Sequence, residues 1–211
     1  MRLRAIVLLT SSGLLAAPLA WSIPSPGLDD GGSAPAAAPA AQDTKAYNDA
    51  LALMKKGDDL AGQAAASEAY ASARAKLQSL VGRSPQFAEA WNALGYTQRK
   101  LGSLDDSLAS YAKALELKPG YPEALEYRGE AYLRLNRIHD AKQAYLALFA
   151  SNRTIAAVLL ESMKAWIKTQ QGGHTVDASE LTDLQQWVQE RSQIATQTAA
   201  LTRAGAAASW R

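Results

Sequence analysis

From about Asp43 to Thr202, apolar residues recur three and four places apart, broken every dozen or so residues by Gly or Pro. That spacing lines one stripe of a helix, and the breaks are too frequent for a single long helix. The pattern therefore predicts an all-α domain of short helices packed in antiparallel pairs. Residues 43–203 are assigned to it, with 204–211 as a flexible tail.

The helical pattern also repeats. A shift of 34 places lays Glu89 on Glu123, Ala90 on Ala124, Gly95 on Gly129, Leu101 on Leu135 and Tyr111 on Tyr145. Glycine inside a helix costs about 1 kcal/mol against alanine, so Gly95 and Gly129 are expected where the paired helix approaches closely. Pro119 closes one helix, and Pro122 stands in the first turn of the next, where a missing N–H does no harm. Ser103 with Asp106 predicts an N-cap for the second helix of the pair.

These two units resemble consecutive tetratricopeptide repeats. The family's W-x2-L-G element stands as Trp91, Leu94 and Gly95, with Tyr111, Ala114 and Pro119 following. In the next copy the matching residues are Leu125, Gly129, Tyr132, Ala141 and Tyr145. Four positions depart from the family pattern: Ser107 for alanine, Gln98 for an aromatic, Arg128 for leucine and Arg153 for proline.

Flanking units are degenerate. Upstream, Leu77, Leu80 and Pro85 fit a second helix. A first helix at 43–56, turning at Gly57-Asp58 with Ala50 in the close-approach slot, fits only with about 11 extra residues around Leu60 to Glu68. Downstream, Leu159, Met163 and Trp166 mark the first helix of a fourth unit. Asp177 to Glu180 then reads as a capping box. It opens a last helix whose apolar face is Leu181, Leu184, Trp187, Val188 and Ile194. A repeat stack needs such an end cap, because a terminal repeat has no neighbour to cover its apolar face.

The first 42 residues carry a different signal. Met1 to Arg4 are basic, Ala5 to Ala20 are mostly apolar, and Ala20-Trp21-Ser22 offers small residues for cleavage, so 1–22 is expected to be a signal peptide. Residues 23–42 are rich in Pro, Ala and Gly and read as a disordered linker. Export, with a bacterial periplasm as destination, is the expectation. Removing Arg2 and Arg4 takes the formal charge from +2 to zero. A neutral chain without a basic block gives no electrostatic reason to expect nucleic acid or a membrane surface as partner.

The residues offer little chemistry. With no cysteine and only His139 and His174, no metal site, cofactor or catalytic set is expected. The acidic pairs Asp58-Asp59 and Asp105-Asp106 are expected at turns and helix starts. The resemblance implies a partner protein or peptide held in a groove lined by the first helix of each pair. The candidate groove residues are Tyr47, Asn92, Tyr96, Arg99, Glu126, Glu130 and Leu133, with Leu160 and Ile167 covered by the chain's own last helix. Glu126 and Glu130 at the centre would repel an acidic ligand and favour an Arg or Lys. An adaptor or assembly factor is the leading functional expectation, with a self-associating scaffold or an accessory enzyme subunit as alternatives.

Overall fold

A computed structural model describes residues 40–171 and 176–208, with side chains as far as Leu201. The expected signal peptide, nearly all of the linker and His174 lie outside the described residues. Within them run eight helices: α1 (Ala41–Asp59), α2 (Ala64–Arg83), α3 (Ala88–Lys100), α4 (Leu104–Leu117), α5 (Pro122–Arg134), α6 (Ile138–Ser151), α7 (Arg153–Gln170) and α8 (Ala178–Ala208). None of the described helices is long and apolar enough to cross a membrane.

Consecutive helices pair as α1/α2, α3/α4, α5/α6 and α7/α8, and each pair packs on the next. The first helices also touch one another, α1 with α3, α3 with α5 and α5 with α7. They therefore lie side by side on one face of the stack. The segment expected to be tail is helical as far as Ala208.

The extra residues around Leu60 to Glu68 divide between the turn at Leu60–Gln63 and the start of α2. Both helices of the first pair are lengthened: α1 and α2 have 19 and 20 residues, against 13 and 14 in each of the next two pairs. The expected turn at Gly57-Asp58 is displaced to Leu60–Gln63, where Gly62 takes φ +84°. Gly57 instead stays helical and lies under Tyr70, where a Cβ would fall 2.6 Å from Cε1 of that ring. Asp43, in the first turn of α1, accepts from the Ser84 hydroxyl and pairs with Arg83, fastening the start of α1 to the end of α2.

The close-approach slots differ between repeats. At Gly95 a Cβ would sit 2.6 Å from the fully buried Tyr111 ring of the paired helix, as expected. At Gly129 the nearest group is a Leu159 methyl at 2.7 Å, from the first helix of the following pair. The corresponding slot of the first pair holds Ala50 and Leu77, both fully buried. Replacing Gly95 by alanine adds overpacking of up to about 3 kcal/mol against about 1 kcal/mol gained in helix propensity. A net loss of about 2 kcal/mol is expected. Adding Tyr111→Leu, which copies the Ala50/Leu77 pair, should recover part of it in denaturant titrations. No recovery would place the strain elsewhere.

Several local expectations meet the structure. Gln98, standing where the family has an aromatic, is buried and lies 2.6 Å from the Ser110 hydroxyl across the α3/α4 hairpin. One repeat later these two positions are Tyr132 and Ala144, so an amide–hydroxyl pair replaces an aromatic beside a methyl. Ser103 makes no capping bond, contrary to expectation, and α4 begins instead with Asp105 and Asp106 at its positive end. Asp177 caps α8, accepting from the Ser179 and Glu180 amides. Leu160 and Ile167 are buried in one cluster with Leu184 and Val188 of α8, which is the cover expected of an end helix.

Candidate functional site

On α3, Asn92, Tyr96 and Arg99 are spaced four and three residues apart, so they share one stripe. The same rule puts Glu126, Glu130 and Leu133 on one stripe of α5. The two stripes meet where α3 and α5 lie side by side. Arg99 Nη1 is 2.6 Å from Glu130 Oε2 in a largely buried ion pair. Glu130 Oε1 also accepts from the Ser162 hydroxyl of α7 at 2.7 Å, so three first helices share one carboxylate.

The Arg99 guanidinium lies over two tyrosine rings, 5.3 Å from the centroid of Tyr96 and 5.5 Å from that of Tyr127. Those rings meet edge to face at 5.2 Å. Stacking and pairing together lower the cost of burying this cation, whose Nε has no hydrogen-bond partner among the described residues. Arg134 donates to the Arg99 carbonyl, tying the ends of α3 and α5 together. Glu126 sits beneath this layer. Burial first, and then the neighbouring Glu130, push its carboxyl up to about 8, with Arg99 acting in the opposite direction.

A second cluster joins α1, α2 and α3. Tyr70 and Tyr96 each donate to Asp58 Oδ1 at 2.6 Å, and Lys100 Nζ lies 2.9 Å from the same oxygen. Partial burial works against ionisation of Asp58, but the bonds from Tyr70, Tyr96 and Lys100 together hold its carboxyl below the ordinary range. Asp58 and Asp59 were expected at a turn. They are instead the last residues of α1, the negative end of that helix, which is why Asp58 needs a cation and two hydroxyls.

The seven expected groove residues thus separate into two groups. Asn92, Arg99, Glu126 and Leu133 are at most 8% exposed and serve the packing of the first helices. Burying them has a cost: Asn92 Oδ1 and Arg99 Nε have no hydrogen-bond partner among the described residues, and Glu126 is pushed towards its neutral form. Tyr47 is half-buried against Phe87, ring centroids 5.0 Å apart, and burial pushes its phenol up to about 12. Tyr96 and Glu130 remain part-exposed at the surface of the face. The expected acidic centre does not exist as such: Glu126 lies beneath the surface, and Arg99 takes the place assigned to a partner's cation.

Sequence reasoning missed Asp58, Tyr70, Lys100, Tyr127, Arg134, Ser162 and Trp166. The last two, with Arg99, Glu130, Leu133 and Arg134, line a cleft of about 180 Å³. One signal for part of this set was available, because Lys100, Arg134 and Lys168 recur at the same 34-residue period as the glycines.

Several known proteins are similar to this chain. Residues 97–136 match the family model described as TPR repeat. Over 98 residues the chain is 29% identical to the tetratricopeptide repeat domain-containing protein PYG7, chloroplastic, of Arabidopsis thaliana, covering 46% of this chain and 33% of that relative. The chain therefore spans about a third of the length of the curated relative it matches. Among solved structures, the TPR2B domain of yeast Sti1 in its pHsp70 complex aligns at 16% identity with a TM-score of 0.42, covering 72% of this chain and 99% of that one.

Proposed function

We propose that this protein is an exported, extracytoplasmic adaptor or assembly factor that holds a segment of another protein on the face built from α1, α3, α5 and α7. The observation that carries the reading is the state of that face. Part-exposed Tyr96, Tyr127 and Trp166 stand on a layer already fixed by the Arg99–Glu130 pair and the Asp58 cluster. Aromatic side chains held in place before binding lose little freedom when a partner arrives. Repeat stacks of this kind bind proteins through such faces. The leader-like first 22 residues support export, and a periplasm is the compartment proposed.

Crosslinking capture from the envelope fraction tests the reading. The native chain is compared with a Tyr96→Ala, Trp166→Ala variant whose helicity is intact. The expected result is a defined partner captured by the native chain and depleted at least about tenfold by the variant, as for loss of central aromatic anchors. Equal capture by both forms would remove this face as the working surface. Capture of nothing but further copies of the chain would favour self-association.

A further inference from the structure

Three first helices end on a cation at a common period. Lys100 closes α3, Arg134 closes α5, and Lys168 stands in the last turn of α7. A positive charge suits the end of any helix, so the row by itself says nothing about a ligand. The neighbouring acids are what distinguish it. Glu130 is bound by Arg99 and Ser162, Asp58 by Tyr70, Tyr96 and Lys100, and Glu161 by Lys164. Arg134 has a backbone carbonyl as its partner rather than a carboxylate, and Lys168 has no ion-pair partner among the described residues. Both are exposed. Arg134 rims the 180 Å³ cleft with Trp166, and Lys168 rims a larger one, of about 760 Å³, floored by Ile167 and Val188.

We propose that the occupant of this face is an extended acidic segment of another protein, with carboxylates on Arg134 and Lys168 and an apolar side chain in the cleft beside Trp166. The proposal rests on the reading of the face as a protein-binding surface. Packed helix axes lie about 8–10 Å apart, and an extended chain advances about 3.3 Å per residue. The two carboxylates therefore belong three residues apart, with an apolar residue between them. Lys100, already shared with Asp58, extends the row for a longer segment. The expected preference for a basic ligand is thereby reversed, because the acids that suggested it are engaged by Arg99 within the chain itself.

The test is selection of a random peptide library on the immobilised full chain, followed by polarisation measurements on the enriched peptides. The expected result is enrichment of Asp or Glu at three-residue spacing. Binding should weaken by about tenfold or more between 0.05 and 0.5 M salt. The Arg134→Gln, Lys168→Gln variant, checked for native helicity, should bind about tenfold more weakly or worse. The milder Lys168→Gln single variant supplies the same comparison if the double one is unfolded. Enrichment of neutral or basic peptides, or of acidic ones that the glutamine variants bind equally well, would overturn the acidic-segment proposal and leave the protein-binding reading standing. Failure to enrich any peptide would overturn both.

Discussion

Replacing Arg99 by methionine is expected to cost about 3–5 kcal/mol of folding stability, the range for breaking one partner out of a buried ion pair. Methionine fills much of the space of the arginine stem, so the loss measures charge rather than volume. Without the guanidinium, Glu130 loses its 2.6 Å partner while remaining fixed by Ser162, and the Tyr96 and Tyr127 rings lose the cation that lies over both. Arg99→Lys should lose less, since an ammonium keeps the charge but has no planar face to stack on tyrosine. Urea titrations monitored by helicity would give both values. A methionine variant as stable as the native chain would mean that the pair contributes nothing net and that the first helices are held by apolar packing alone.

The second large effect is a pH dependence with a definite sign. The Glu126 carboxyl, ordinarily near 4.5, is pushed up to about 8 in the folded chain, by burial first and then by Glu130 and Glu123, with Arg99 opposing. Between those two values the folded state keeps a proton that the unfolded state has lost. Stability from this group is therefore full below pH 4.5 and falls as pH rises towards 8, after which it is flat. Glu126→Gln removes the proton from the balance. Its stability should be flatter than the native between pH 5 and 8, the two curves separating by on the order of 3 kcal/mol across that window. Asp58, held below its ordinary range, acts only at lower pH, losing its contribution as acid protonates it. Parallel native and variant curves from pH 5 to 8 would show that Glu126 is ionised in the folded protein.

Both effects arise in a layer that the sequence displayed only in part. The helical stripes of α3 and α5 were legible, and they correctly brought Asn92, Tyr96 and Arg99 to the same face as Glu126, Glu130 and Leu133. Which of those side chains lie beneath the surface was not legible. Spacing along one helix fixes direction about that helix alone, and it carries no account of how closely a neighbouring helix approaches. The approach of α5 to α3 turned Arg99 and Glu130 from a presumed ligand surface into a pair that holds the surface together. Asp58 shows the same limit from another side. The sequence placed it at a turn, but the lengthened α1 carried it past Gly57 to meet Tyr96, which lies 38 residues away along the chain.

What the sequence by itself determined is the all-helical fold, the 34-residue pairing with its glycine slots, and the closing helix with Asp177 at its start. These depend on local periodicity, backbone freedom and capping, which short stretches of chain encode. What only the tertiary structure decided is the length of the first hairpin, the neighbour that fills the space above Gly129, and the division of the shared face between buried support and exposed surface. Those depend on distances between helices remote in sequence, where a few ångströms separate a charge that must find a partner within the chain from one left open to another molecule.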